Sequence, residues 1–277
     1  MDVSLIEFVL YGVVSGFTEF MPVSSHAHRK MLLTLFGNES SVVLLDLFVH
    51  IGLLVALLAS VIGQFKKGAK EYALLRKAPR RRKREPNMQQ ALDYSFVRTG
   101  TFILLIGAFL FVKTSVWFDN LNLLALFLAL NGFLLFIPTL ASSGNKDSRN
   151  MNTFDAILFG VGGMLCALPG ISCIGASSSM ALLRGADRKE AYKWSLMLCV
   201  PALSISICMD LYGLFVTGVG GMGLLSVLMC LLSCCTAYFS GALAIKLMKT
   251  LVANKGFSGF CYYSWGAALF LFILYLY

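Results

Sequence analysis

Gly16-Phe17-Thr18-Glu19-Phe20-Met21-Pro22-Val23-Ser24-Ser25-His26-Ala27-His28 lies in the middle of an apolar stretch over residues 3–36. Arg29 and Lys30 follow it directly. The stretch is too polar at its centre to cross a bilayer as one continuous helix, yet too long and apolar to be a loop. Pro22 ends one half-helix, because proline has no N–H to give and clashes with the preceding turn. Ser24 or Ser25 can N-cap the next half-helix. Such a start leaves backbone N–H groups and a positive dipole end exposed, an arrangement that favours an anion. Glu19 and His28 flank the break and are expected to face the same space. A carboxylate and an imidazole beside serine hydroxyls can position a nucleophile, pass protons or hold a divalent cation.

A second stretch, residues 154–183, repeats the design with Ala167-Leu168-Pro169-Gly170-Ile171-Ser172-Cys173-Ile174-Gly175-Ala176-Ser177. Pro169-Gly170 stops a helix and Ser172 starts another, so Ser172, Gly170, Gly175 and Ser177 are candidate ligand contacts. Two helix N-termini converging on one cavity suit a diphosphate better than a single carboxylate. Backbone that is not helical at membrane depth is tolerated only where it lines a cavity or is buried in protein. The site is therefore expected where the two breaks meet. Asp46 and His50, four residues apart, share a helix face; they form either a local hydrogen bond or a wall of the site.

Around these breaks the chain is oily. Of its 277 residues, 58% are hydrophobic and 13% charged, with 23 Lys+Arg against 14 Asp+Glu, a net charge of +9. A soluble domain carries about 25% charged residues, so a soluble globular fold is excluded, and so is disorder, which needs low hydrophobicity. Spanning helices need about 20 apolar residues; residues 42–65, 96–118, 121–141, 191–215, 223–247 and 257–277 qualify. Ten basic residues between Gln64 and Pro86 place that loop in the cytoplasm by the positive-inside rule. Counting onward puts Lys146, Arg149, Arg184, Arg188, Lys189, Lys193, Lys246, Lys249 and Lys255 on the same side, with Arg29, Lys30 and Lys113 outside that set. Both broken stretches must then enter and leave on one side, from opposite faces. The expected fold is an all-α integral membrane bundle, one domain over 1–277. It would hold two inverted-topology repeats (about 1–118, with the basic loop 66–86, and about 121–277), each with a re-entrant broken helix pair. The charge is a topology signal, so no nucleic-acid partner is expected. Membrane lipids surround the chain, and a homodimer is among the assemblies this reading allows. The eight cysteines lie in apolar stretches without C-x-x-C spacing and read as small buried hydrophobes. Asp2 and Glu7 stand where a signal peptide would carry basic residues, so no cleavage is expected.

With both breaks in view, the chain resembles the undecaprenyl-diphosphate phosphatase, or bacitracin-resistance, family of bacterial inner membranes. Residues Gly16 to Ser25 with His28 are similar to that family's first motif, G-L-T-E-F-L-P-[IV]-S-S-x-G-H. Asp46 with His50-Ile51-Gly52 resembles its F-[DE]-x-x-x-H-L-G segment. Ala167 to Ser172 with Gly175-Ala176-Ser177 resembles A-L-I-P-G-x-S-R-S-G-A-T, continued by Gly185, Arg188, Ala191, Ser195 and Pro201. The resemblance implies removal of the terminal phosphate from undecaprenyl diphosphate, recycling the cell-wall lipid carrier, at a site open to the outer face. It implies a divalent cation, Mg²⁺ or Ca²⁺, held by Glu19 and Asp46. By position, Glu19 matches the family's motif glutamate, Ser25 a nucleophile or phosphate contact, His28 a histidine used in proton transfer or as an alternative nucleophile, and Ser172 a phosphate-contacting serine. Glu19, Ser25 and His28 are the catalytic candidates, and Ser24 joins the substrate-binding ones.

The chain also departs from the pattern. Ser15 replaces a Glu or Gln, Ala27 a Gly, Gly163 a Gln, and Cys173 and Ile174 the Arg and Ser of the second motif. Arginine is the natural bidentate grip for a diphosphate, and cysteine cannot replace it. Arg29 and Lys30, where the family shows apolar residues, are expected to supply the displaced charge or to reach the outer headgroups. The alternative to hydrolysis is a protein of the same fold that binds or carries the polyprenyl phosphate lipid.

Overall fold

The structure, a computed structural model, describes residues 5–37, 43–82, 84–111, 120–140, 144–218, 223–254 and 256–276. Lys83, Lys113 and Lys255, and the expected segment ends Val3, Val42, Phe118, Ala141 and Tyr277, lie outside the described residues. The described chain is helical: α1 (Leu5–Glu19), α2 (Ser25–Leu35), α3 (Val43–Leu75), α4 (Met88–Phe111), α5 (Leu121–Phe136), α6 (Thr153–Met164), α7 (Cys173–Leu183), α8 (Arg188–Thr217), α9 (Leu224–Asn254) and α10 (Gly259–Leu276). Among the described residues, six helices are long and apolar enough to span a bilayer: α3, α4, α5 with the turn that follows it, α8, α9 and α10. They are the six the hydropathy picks out. Their lipid-facing sides are bare of partners, with Phe109 83% and Phe215 87% exposed.

The helices overrun the apolar segments. α3 continues ten residues past Phe65 through Lys66, Lys67 and Lys70, and α4 begins eight residues before Phe96. Lys, Ala, Glu and Leu are good helix formers, so the helix goes on where hydropathy stops. Glu71 secures the extension: it is buried and accepts from Arg84 and from the Asn87 amide at 2.9 Å. The basic loop is thus shorter than residues 66–86.

The breaks form as the sequence implies. Ser24 is the cap of α2, its hydroxyl accepting from Ala27 N at 3.3 Å. Ser172 caps α7, accepting from Gly175 N at 3.1 Å. α2 and α7 have 11 residues each. At 1.5 Å per residue each is about 16 Å long, half the thickness of a hydrocarbon core of about 30 Å. Gly170 turns the chain between α6 and α7 with φ 101°. A side chain there would also strike Leu124 O, 2.8 Å from an added Cβ.

Neighbour relations repeat with an offset of five helices. α1 packs on α9 as α6 packs on α4, α3 on α9 as α8 on α4, and α1 on α2 as α6 on α7. α3 with α8, and α5 with α10, pair across the two halves. The α1–α9 seam is close because Gly12 and Gly16 present no side chain. An added Cβ would lie 2.4 Å from Ser233 O and 1.9 Å from Ser240 Oγ respectively. Without a hydrophobic driving force between helices in lipid, such small-residue approaches are what hold them together. Of the eight cysteines, Cys199, Cys230 and Cys261 are buried as expected. Cys208 and Cys235 are exposed on spanning helices instead, where a thiol is apolar enough to face lipid.

Candidate functional site

A cavity of about 490 Å³ opens where the two breaks meet. The C-terminal end of α1 contributes Glu19, the first break Ser24, and the start of α2 Ser25, His26 and Arg29. α3 contributes Asp46 and His50, the second break Gly170, Ser172 and Cys173, and α8 Asp210. Leu104 and Ala108 of α4, with Ile205 and Met209 of α8, make its apolar side.

The breaks are fastened to each other by Asn131 of α5, which is fully buried. Its Nδ2 donates to Pro22 O at 3.1 Å and to Ser264 Oγ at 3.2 Å, and its Oδ1 accepts from Ser172 N at 3.0 Å. Ser172 Oγ donates across the gap to Met21 O at 3.3 Å, and Tyr192 Oη to Phe20 O at 3.1 Å. Both free half-helix N-termini are thereby aimed into one space. Because Ser172 caps α7 and gives its proton to Met21, it shapes the cavity more than it offers a free hydroxyl.

Ser25 differs. Its Oγ is buried and lacks a hydrogen-bond partner among the described residues. A buried hydroxyl without a partner is unfavourable by about 1–3 kcal/mol, and such exceptions call for a reason in function. Glu19 lines the same cavity, and no hydrogen bond or ion pair is recorded for it among the described residues.

Arg29 is buried on the cavity wall, four residues after Ser25 and so on the same face of α2. Its Nη1 lies 2.8 Å from His50 Nε2, and its Nε lies 3.6 Å from Asp46 Oδ1. Asp46 Oδ1 also accepts from Tyr11 Oη at 2.6 Å, and His50 Nδ1 lies 2.6 Å from Asp210 Oδ2. Asp46 and His50 are therefore walls of the site and not a local pair: each turns to Arg29.

Several expected site residues lie elsewhere. His28 does not line the cavity: its Nδ1 is 2.6 Å from Ser24 O, its Nε2 is 2.8 Å from Tyr263 Oη, and its ring stacks on that tyrosine. Four residues past the cap, it turns back onto the cap carbonyl and toward α10, not toward Glu19. Lys30 is not on the lining either, one residue of helix rotation carrying it away from Arg29's face. Ser177 is buried behind the second break, with Cys173 O at 2.6 Å and Ser195 Oγ at 2.8 Å. Gly175 sits where the breaks touch, with Pro22 O 3.2 Å from an added Cβ. Among the described residues, no group of three or more His, Cys, Asp or Glu is placed to hold a metal. Asp46 is taken up by Tyr11 and Arg29.

Of the departures from the motif, Cys173 lines the cavity together with Cys166. At Gly163 an added Cβ would meet the end of the Leu198 side chain at 2.5 Å, so a larger residue there requires Leu198 to shift. Arg184 lies at the far end of α7, bonded to Asp155 at 2.5 Å. Tyr11, Asn131 and Asp210 were not singled out by motif. Asp210 did carry a readable signal, being an acid inside an apolar span.

The chain is 28% identical over 263 residues to an undecaprenyl-diphosphatase of Prochlorococcus marinus, covering 93% of this chain and 94% of that protein. It is 28% identical over 277 residues to one of Methanobrevibacter smithii, covering 97% of each, and 29% identical over 266 residues to one of Carboxydothermus hydrogenoformans, covering 93% and 92%. The profile of the family described as bacitracin resistance protein BacA matches residues 8–270, which takes in both breaks and every cavity residue, and the chain belongs to that family.

Proposed function

We propose that the chain is a membrane phosphatase that hydrolyses undecaprenyl diphosphate to undecaprenyl phosphate and inorganic phosphate. One observation carries this reading. The unpartnered hydroxyl of Ser25 lies on a cavity that also holds the Arg29 guanidinium and receives two helix N-termini. The amides and Arg29 bind the diphosphate oxygens and stabilise charge that develops at phosphorus. Either a water oriented by Ser25 Oγ attacks the terminal phosphorus, or Ser25 Oγ attacks it and a water then hydrolyses the resulting phosphoserine, returning the proton to the serine. In both cases the bond to the bridging oxygen breaks, the water's oxygen leaves in inorganic phosphate, and the prenyl phosphate leaves along the apolar side.

The charge of the lining bears on the cofactor. Glu19, Asp46 and Asp210 outnumber Arg29, so an anionic substrate needs further positive charge there. Mg²⁺ is commonly held by one or two carboxylates together with substrate phosphates. Glu19 lines the cavity with no hydrogen bond or ion pair recorded for it among the described residues, and we assign to it a divalent cation, Mg²⁺ or Ca²⁺, that arrives with the diphosphate. When bound, that ion neutralises phosphate charge.

The bundle is read as two inverted repeats in a bacterial inner membrane, with the site toward the outer side. In support, His50 is 25 residues from the end of α3, where the basic loop begins, and Asp210 is 22 residues from the basic start of α8. At 1.5 Å per residue these are separations of about 38 and 33 Å, the span of a hydrocarbon core.

Phosphate release from undecaprenyl diphosphate by the purified protein in liposomes with Mg²⁺ tests the reading. Release that disappears in Glu19→Gln and Ser25→Ala supports it. Binding of the lipid with no phosphate released overturns hydrolysis in favour of lipid carriage.

A further inference from the structure

Asp210 is an acid within the spanning helix α8, next to Ile207, Cys208, Met209 and Leu211, and its recorded hydrogen-bond partner among the described residues is His50. An ionisable residue in a spanning helix defaults to a functional explanation. The hydrogen-bond directions supply one. A guanidinium N–H can only donate, so the contact from Arg29 Nη1 at 2.8 Å requires a bare lone pair on His50 Nε2. The imidazole proton is then on Nδ1 and is donated to Asp210 Oδ2 at 2.6 Å. With this tautomer His50 accepts from Arg29; with the other, an Nε2–H would point at the guanidinium and push it off. Asp46, itself held by Tyr11, steadies Nε, and no partner is recorded for Nη2 among the described residues. The free end of the fork belongs to a group that lines the cavity.

We propose that Asp210 is a positioning residue which, by fixing the tautomer of His50, holds Arg29 with its free donors turned to the diphosphate. α8 thereby sets the phosphate grip on α2. This restores, from the opposite side of the cavity, the positive charge absent at Cys173. The inference rests on the phosphatase reading of the same site.

The test compares Asp210→Asn, Asp210→Glu and His50→Gln in the full-length protein, with undecaprenyl diphosphate hydrolysis and binding of inorganic diphosphate as readouts. An amide can donate to Nδ1 and force the wrong tautomer, so Asp210→Asn should raise KM and lower kcat/KM by roughly 10- to 100-fold. Asp210→Glu should recover most of it. Gln at 50 offers Arg29 an acceptor that needs no partner. Adding Asp210→Asn to His50→Gln should therefore change kcat/KM less than about twofold, a coupling visible only in the double-mutant cycle. Equal losses from Asp210→Asn with histidine or glutamine at 50, or no loss in either, overturn the relay. Should Asp210→Asn fail to fold, the Asp210→Glu and His50→Gln variants still decide, since collapse of diphosphate binding in His50→Gln with an intact Tm contradicts the acceptor role. Wild-type protein that neither binds nor hydrolyses diphosphate would sink the phosphatase reading itself, a result distinct from any of these.

Discussion

Replacing Asn131 by alanine should loosen both breaks together. The side chain is fully buried and serves three groups: Pro22 O, Ser264 Oγ and Ser172 N. Alanine removes all three bonds and leaves two backbone groups without partners. An unsatisfied buried group is unfavourable by about 1–3 kcal/mol, which gives a range of about 2–6 kcal/mol for the pair. Ser172 borders the cavity, so water can reach its N–H, and the lower part of the range, about 2–3 kcal/mol, is expected. For a chain of this size that is a fall in Tm of about 5–10 °C. Activity should fall further than stability suggests, because a displacement of about 1 Å in a positioning element can lower the rate about 100-fold. Thermal unfolding in detergent and phosphate release at a temperature well below the variant's Tm separate the two effects. Asn131→Asp sharpens the result. It keeps an acceptor for Ser172 N but opposes a carboxylate oxygen to the Pro22 carbonyl, and should be at least as harmful as alanine. Wild-type Tm and turnover in Asn131→Ala would refute the claim that this residue joins the breaks.

Ser25→Ala should lower phosphate release by roughly 100-fold or more with Tm unchanged or slightly raised, because it removes an unpartnered buried hydroxyl; a large drop in Tm would mean the hydroxyl is structural. Arg29→Leu should lower kcat/KM by roughly 100-fold, while Lys30→Leu, off the lining, should keep most of the activity; the reverse order, read in the same assay, would remove Arg29 from the site. Gly16→Leu forces a side chain into Ser240 at the α1–α9 seam and should destabilise by about 1–3 kcal/mol or more, seen as a lower Tm and loss of monodisperse protein. Chelation with EDTA should abolish phosphate release and excess Mg²⁺ restore it; full turnover in EDTA would refute the cation assigned to Glu19.

What could be read from residues alone follows the range over which each interaction acts. Pro22, Pro169-Gly170, Ser24 and Ser172 do their work within one turn of backbone, so the two breaks and their caps were legible. The six spans were too, because hydropathy is a property of consecutive residues. Helix ends were not, because Lys66 to Leu75 are polar yet good helix formers, and only the packing of Gly68 and Glu71 against α4 and its approach shows that the helix goes on. At the site, motif spacing placed His28 with Glu19, but the phase of α2 is set by where it starts. With Ser24 as cap, His28 falls back on the cap's own carbonyl and Arg29 is the residue that shares Ser25's face. The direct partners of Arg29, Asp46 and His50, come from α3 at sequence separations of 17 and 21, and Asp210 of α8 joins them through His50, 160 residues further on; no local rule reaches so far. A residue whose side chain joins distant helices can still announce itself by its cost. Asp210 and Asn131 are polar groups in apolar spans, and such groups persist in lipid only when something across the bundle answers their hydrogen bonds. Serine and threonine can turn back on their own helix, as Ser204 does to Val200 O, but in a chain this apolar an acid or amide inside a span marks a tertiary contact before any partner can be named, and the site is found where several of those marks converge.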